Sequence, residues 1–281
     1  MGKCIYKPKG KALEYAEYAC NFFIGCSCEC SYCFNKKGML SKTLGGNTPT
    51  LKKCFKDEKH ALEVFEKELK QNLAELQKHG LFFSFTTDPF LNKTIHLHLQ
   101  AADKCLKNGV SVKFLTKRAD WLEGYRTGNN YIPFPFLIKD DLKDKFAFGF
   151  TLTGHDELEP NASTNAERIE AMRKLHEAGF KTWASIEPVI DFESSLKMIY
   201  RTTDCCDLYK IGLQSGKKYD EIKLWSFIKE SSAIRVNYKE ALASGEEIKI
   251  YFKDSLLAQA GINREDLPAN CVGRDYDIFN N

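Results

Sequence analysis

The 281-residue chain lacks any apolar run near the roughly 20 residues that a membrane span needs. It lacks a charge excess of either sign: 41 basic and 38 acidic residues leave a net +3. That balance permits a nucleic-acid partner but does not argue for one, since a dedicated binder is usually strongly basic. The N-terminal stretch MGKCIYKPKGKALEYA has no apolar segment of the secretory kind. It also lacks the Ser or Thr that a myristoylation signal places near the start. No linker and no internal repeat interrupts the chain. The expectation is one cytoplasmic domain over residues 1–281, with a barrel at about 16–245 and a C-terminal extension at about 246–281. A domain of this size buries about 75% of its unfolded surface, so it folds without disulfides.

Cysteine is the residue that is plentiful, at eleven. Thiols of a cytosolic chain stay reduced, which argues against a disulfide framework. Cys26, Cys30 and Cys33 stand at C-x3-C-x2-C spacing inside GCSCECSYCF, Gly25–Phe34. Three thiolates on one loop cannot close a tetrahedral zinc site, which takes a fourth ligand. They can hold three irons of a cubane cluster and leave the fourth iron open. Cys28 is out of step with the triplet and reads as a non-ligand. Cys4, Cys20, Cys54, Cys105, Cys205, Cys206 and Cys271 form no C-x2-C pair and read as small buried hydrophobes. A second cluster is not expected.

Apolar spacing predicts strands at Tyr18–Ile24, Leu81–Thr86, Val112–Thr116, Phe146–Thr153, Phe180–Ile186 and Leu208–Leu213. Helices are expected at Asp57–His79, Thr94–Asn108, Thr164–Ala178, Phe192–Thr203 and over much of Tyr219–Ala243. A short helix is expected at Ala119–Gly124, fading into loop at Gly128–Pro135. Residues 1–15 read as an extended lead-in, Glu247–Phe252 as an edge strand, and Ile262–Asn281 as a tail. Strands alternating with helices six times predict an α/β fold: an open partial (β/α)6 barrel of parallel strands with a short C-terminal extension. Such barrels gather function at the C-terminal ends of their strands. Thr86-Thr87-Asp88, Thr116-Lys117-Arg118, Thr151 with Thr153, Glu187-Pro188 and Gln214-Ser215 all fall at those ends.

The triplet with Tyr32 before its last cysteine and Phe34 after it resembles the radical S-adenosylmethionine (SAM) superfamily. TTDPF (Thr86–Phe90), FLTKRAD (Phe114–Asp120), LEPNAS…ER…LHEAGF (Leu158–Phe180) and SIEPVID (Ser185–Asp191) resemble its spore-photoproduct-lyase-like branch, in that family's order. The resemblance covers roughly residues 16–215. It implies that Cys26, Cys30 and Cys33 bind a four-iron, four-sulfur (4Fe-4S) cluster whose open iron is chelated by SAM. It implies that Lys117 meets the SAM carboxylate and that Thr86 and Thr87 lie at the methionine end. Asp88 accepts from the ammonium or braces its loop. Thr151 or Thr153 reaches the carboxylate or ribose, Tyr32 and Phe34 lie against adenine or the cluster, and the backbone at Ile186–Glu187 takes the adenine edge. Arg168 pairs with Glu187 or Glu159, or touches SAM. The chemistry implied is reductive cleavage of SAM to a 5′-deoxyadenosyl radical that takes hydrogen from a substrate.

The sequence departs from that branch in three places. Phe85 stands where spore photoproduct lyases carry a hydrogen-donating cysteine. Cys28 occupies the place of a common histidine, and Lys93 stands where a glutamate often follows T-D-P-aromatic. These departures count against thymine-dimer repair. The substrate classes in view are a nucleobase, nucleotide or nucleic acid first, then a small molecule or peptide. Lys36, Lys37, Lys42, Lys52, Lys53 and Lys56 offer a basic rim for the first. The resemblance implies a lyase- or transferase-type enzyme and an electron donor such as flavodoxin or ferredoxin; no membrane is expected. The competing class is a non-catalytic iron–sulfur or zinc module. His155 reads as a loop histidine. His96 and His98, two apart in a helix, cannot chelate one ion from one face.

Overall fold

The computed structural model describes residues 3–37, 41–127, 130–132, 138–234 and 248–279. They form an α/β fold around a mostly parallel sheet of eight strands. The chain divides into two compact units, Met1–Phe148 with Leu158–Ser163, and Gly149–Glu157 with Thr164–Asn281.

The first unit runs through β1 (Ile5–Tyr6), β2 (Ala19–Cys20), β3 (Phe23–Ile24), α1 (Ser41–Leu44), β4 (Thr50–Leu51), α2 (Glu58–Gln71) and α3 (Leu73–His79). It continues with β5 (Leu81–Phe83), α4 (Ile95–Lys107), β6 (Val112–Thr116), β7 (Tyr125–Thr127), β8 (Asn130–Ile132) and α5 (Asp140–Lys143). The strand β9 (Phe146–Thr151) starts in this unit and ends in the second. The second unit adds α6 (Asn165–Glu177), β10 (Lys181–Val189), α7 (Phe192–Tyr200), β11 (Leu208–Leu213), α8 (Glu221–Ser232), β12 (Lys249–Phe252) and α9 (Asp254–Ala260). Hydrogen bonding orders the main sheet β1-β2-β5-β6-β9-β10-β11-β12, so its first and last strands are not neighbours and the sheet is not closed. The open parallel architecture expected from the alternation is therefore present, with an added strand at each edge.

One of those edge strands lies in the segment read as a lead-in. Ile5 pairs with Cys20 and Tyr6 with Ala19, antiparallel. The backbone N–H groups of Cys4 and Ile5 donate to the Glu68 carboxylate at 3.0 and 2.8 Å, which ties the edge to α2. The expected strand Tyr18–Ile24 is broken. At Asn21 the pairing changes: its N–H still donates to Cys4 O at 3.1 Å, while its Oδ1 accepts from Phe85 N at 2.8 Å and its Nδ2 donates to Tyr6 Oη at 2.7 Å. Asparagine is depleted in strands, and this one spends its side chain on two partners distant in the chain. Beyond it, β3 turns to pair antiparallel with β4.

The long helix expected at Asp57–His79 is two helices. Asp57 caps α2 by accepting from His60 N at 2.7 Å. At Asn72 the side chain donates to Glu68 O at 2.7 Å, competing with the helical ladder, and α3 starts anew. Gly80 closes α3 at φ +70°, its N–H on Leu76 O. Between β5, β6 and these helices lies an aromatic core in which Phe83 stacks on Phe114 (5.4 Å) and meets Phe65 (6.2 Å). Strand β5 stops at Phe83, three residues before the expected end, and α4 matches Thr94–Asn108 to within a residue at each end. Ala119–Gly124 holds a 3₁₀ turn, Asp120–Glu123. The expected loop Gly128–Pro135 lies mostly outside the described residues; what is described there is the β7–β8 hairpin.

In the second unit, Thr164 caps α6 in a capping box with Glu167. Strand β10 runs to Val189, past the expected end at Ile186, with an irregularity between Ile186 and Val189. Helix α7 ends at Tyr200 rather than Thr203. The expected helix Tyr219–Ala243 is present as α8, and its remainder from residue 235 lies outside the described residues. The expected edge strand is β12, parallel to β11. The tail folds onto it: Cys271 bridges Ile250, and Arg264 donates to Phe252 O and Val272 O. Helix α9 carried no clear signal in the sequence.

Gly149 in β9 lies under the Trp183 indole of β10, and an added Cβ would overlap that ring. Gly149→Ala is expected to cost about 1–3 kcal/mol, the usual penalty for overpacking a tight core. Urea unfolding measures it, and a variant as stable as the parent would show that the indole has room to move.

Candidate cofactor site

The cysteine loop starts where β3 ends. Gly25 sits at φ +80°, and a Cβ there would lie 2.6 Å from Thr48 O. Only glycine fits so close an approach. Cys26 N then donates to Gly46 O at 2.9 Å. Glu29 takes a left-handed conformation, φ +54°, uncommon outside glycine, and so bends the loop between Cys28 and Cys30. Cys33 N returns to Cys30 O, and Ser31 N donates to Leu158 O.

Cys28 and Cys30 are buried against Leu91, with Cys26, Cys33, Tyr32 and Ala162 packed around them. All eleven cysteines are free thiols. Cys26 is held down to about 7, first of all by a hydrogen bond from the Cys28 thiol, which is itself pushed up by that bond and by burial. Burial also pushes Cys30 up, against the opposing pull of Lys117. Among the described residues no three His, Cys, Asp or Glu side chains converge on a single ion. The triplet's fit is of another kind: each thiolate of a cubane takes its own iron, so the sulfurs stand around the group rather than on one atom. Three free thiols on one bent loop, one buried and two half-buried, suit that donor set.

The stretch after β5 is organised by Asp88. Its carboxylate is buried and accepts from Thr116 Oγ1 (2.7 Å), Lys117 N (2.7 Å) and Phe90 N (3.0 Å). The Cys28 Sγ stands 4.0 Å from its Oδ2. Of the two roles open to Asp88, the structure shows the brace. Thr86 donates to Phe23 O at 2.5 Å and so braces the loop too. Thr87 differs: its hydroxyl is buried and has no hydrogen-bond partner among the described residues. The Lys117 ammonium lies 5.7 Å from the Tyr32 ring centroid, and Tyr32 donates to Glu159. Phe34 is 63% exposed beside Cys33. Nine of the twelve expected site residues thus belong to the first unit, on the cysteine loop, the stretch after β5 and the end of β6.

Thr151, Thr153 and Glu187 belong to the second unit. Thr151 O accepts from Arg168 at 2.6 Å, and Thr153 Oγ1 accepts from His155 N at 3.2 Å. The Glu187 carboxylate pairs with Lys253 at 2.8 Å. The expected choice of partners for Arg168 therefore left out the Thr151 carbonyl, and Lys253 was missed altogether. It follows β12 and shares no motif with Glu187. Gly212 of β11 is the only mark of the pair: a Cβ there would lie 2.7 Å from Lys253 Cδ and 2.8 Å from Glu187 Cδ. His155 is more than a loop histidine. Its Nε2 is 2.5 Å from Asp191 Oδ2 and its Nδ1 is 2.7 Å from Glu157 Oε1. Asp191 also caps α7 through Ser194 N. Burial alone would lower His155, but the two carboxylates outweigh it and the net shift is upward.

No family model matches the chain, and no curated protein matches it. Solved structures do. SuiB of Streptococcus suis bound to precursor peptide SuiA matches with a TM-score of 0.53 at 11% identity, covering 88% of this chain and 51% of that one. SuiB bound to S-adenosylmethionine matches with a TM-score of 0.50 at 14% identity, covering 88% and 50%. The chain thus spans about half the length of the solved structures it matches. At these identities the likeness is one of fold: the open, mostly parallel α/β sheet.

Two tests follow from this geometry. Asp88→Asn turns one acceptor oxygen into a donor and breaks a bond to Lys117 N or to its other partners. A cost of about 1–3 kcal/mol is expected, as for bonds to a buried charge, and denaturant unfolding reads it; no loss would remove Asp88 from the centre of the loop network. For His155, the raised value lies above an unfolded pKa of about 6.5, so its contribution is full below that and fades as pH rises through the folded value. Asp191 and Glu157 are lowered, so their share holds above about 4 and is lost as pH falls. Wild-type Tm should decline above about pH 6.5, while His155→Gln should not show this decline; equal slopes would count against the pairing.

Proposed function

We propose that the chain is a radical SAM enzyme, a single radical SAM domain over residues 1–281. What carries the reading is the first unit's cysteine loop, where Cys26, Cys30 and Cys33 are free, bent around Glu29 and packed together. The open α/β fold and its likeness to a structure bound to S-adenosylmethionine support it. Cys26, Cys30 and Cys33 would hold a 4Fe-4S cluster. When bound, that cluster supplies the electron that cleaves SAM to a 5′-deoxyadenosyl radical, which takes hydrogen from the substrate.

The chain's own residues bind and orient. Lys117 offers a point charge to the SAM carboxylate, held by Asp88 at its backbone and lying near the Tyr32 ring. Thr87 brings an unpartnered hydroxyl to the methionine end. Tyr32, fixed by Glu159, and the exposed Phe34 offer aromatic faces to adenine. Thr86 supports Thr87 through its bond to Phe23. The motif resemblance also assigns SAM contacts to Thr151, Thr153 and the backbone at Glu187, which belong to the second unit. An electron donor such as flavodoxin or ferredoxin and a cytoplasmic setting go with this chemistry. Among the described residues no helix is long and apolar enough to cross a membrane.

For the substrate, the motif resemblance raises a nucleobase or nucleic acid. The peptide-bound SuiB structure favours a second reading, a peptide. Anaerobic turnover with deuterated candidates of both kinds, following label into 5′-deoxyadenosine, separates them. Cys30→Ala is expected to lose most of its iron and all reductive SAM cleavage after anaerobic reconstitution. Retained cleavage, or a colourless wild-type protein carrying zinc, would overturn the reading in favour of a metal module.

A further inference from the structure

Beside the cysteine loop, one buried acceptor is left without a partner. Asn35, two residues past Cys33, is 6% exposed, and its Oδ1 has no hydrogen-bond partner among the described residues. Its Nδ2 donates to Phe85 O at 3.1 Å. That contact settles the amide's orientation: reversed, it would set two carbonyl oxygens against each other. The orphan is therefore the oxygen, an acceptor. Its backbone is fixed as well, since a Cβ on Gly45 would lie 2.9 Å from Asn35 O.

An unpaired buried acceptor is costly, and folded proteins keep few of them. Elsewhere such atoms have plainer surroundings. The unpartnered Nε2 of His98 belongs to a ring packed against Phe22, Phe23 and Phe83. Asn35 instead joins the cysteine loop to the stretch Ser84–Asp88. That stretch carries Thr87, whose buried hydroxyl also lacks a partner among the described residues, and Asp88, whose carboxylate stands 4.0 Å from Cys28 Sγ. Two orphaned polar atoms thus lie on the two segments that the Asn35–Phe85 bond joins.

We propose that Asn35 contacts that ligand, its carboxamide oxygen accepting a hydrogen bond from an amino or hydroxyl group of the docked molecule. The proposal rests on the reading of that molecule as SAM, whose ammonium, adenine amine and ribose hydroxyls are all donors. Asn35 lies outside the motifs that suggested the other contacts. Thr87 completes the pair, since a hydroxyl both donates and accepts.

The test is equilibrium binding of SAM, methionine and 5′-methylthioadenosine to the anaerobically reconstituted full chain, with iron content and ligand-free Tm measured in parallel. Asn35→Leu removes the acceptor and should weaken SAM about tenfold, the worth of one hydrogen bond, with iron unchanged. Asn35→Asp keeps an acceptor oxygen but loses the donor to Phe85, and should bind SAM within about threefold of wild type. If Asn35 only tethers Phe85, both variants weaken alike, and the proposal fails. It fails too if wild type binds SAM and Asn35→Leu binds it equally well. Should Asn35→Leu not fold, Asn35→Asp alone decides between the two roles. A loss confined to methionine places the contact at the ammonium; a loss shared with 5′-methylthioadenosine places it on the nucleoside. Iron-loaded wild type that binds no SAM would instead remove the proposed function itself.

Discussion

The buried carboxylate of Asp88 is the constraint on which the first unit's loops depend. It gathers Thr116 Oγ1, Lys117 N and Phe90 N from two segments that follow adjacent parallel strands. Its backbone oxygen accepts from Thr94 Oγ1, at the start of α4. A buried carboxylate without such donors would be strongly disfavoured. With them, it holds the end of β5, the end of β6 and the cysteine loop in one arrangement. The Lys117 backbone is held by this carboxylate, and its ammonium lies 5.7 Å from the Tyr32 ring centroid.

Around that hub the unit keeps some groups satisfied and leaves others open. Thr86, Tyr32 and Cys28 each have a partner. Thr87 Oγ1 and Asn35 Oδ1 have none. Buried polar atoms are rarely left without partners, which sets these two apart from the groups around them. The second unit shows the same economy of fixed charges. The ion pair Glu187–Lys253 crosses Gly212, and His155 joins Glu157 to the cap of α7.

Much of the fold was legible. Val112–Thr116 and Leu208–Leu213 are strands to the residue, because a short apolar run between turn signals has few other uses. Thr164 and Gly80 bounded their helices through local chemistry that sequence displays directly. Where expectation failed, side-chain bonds or strand pairings invisible to apolar periodicity had intervened. Asn21 broke a strand by bonding Phe85 and Tyr6, and the pairing of β1 with β2 was invisible in a lysine-rich lead-in. Asn72 split a helix through a local bond that periodicity ignores.

The sequence by itself determined three cysteines at one spacing and the alternation that builds an open parallel sheet. Both are local, since spacing and apolar period are written along the chain. The tertiary structure decided which polar groups are occupied. It gave Glu187 to Lys253 and His155 to two carboxylates, made Asp88 a brace, and left Asn35 and Thr87 open. A hydrogen bond joins residues far apart in the chain, and only burial makes its absence costly, so neither fact can be read from order alone.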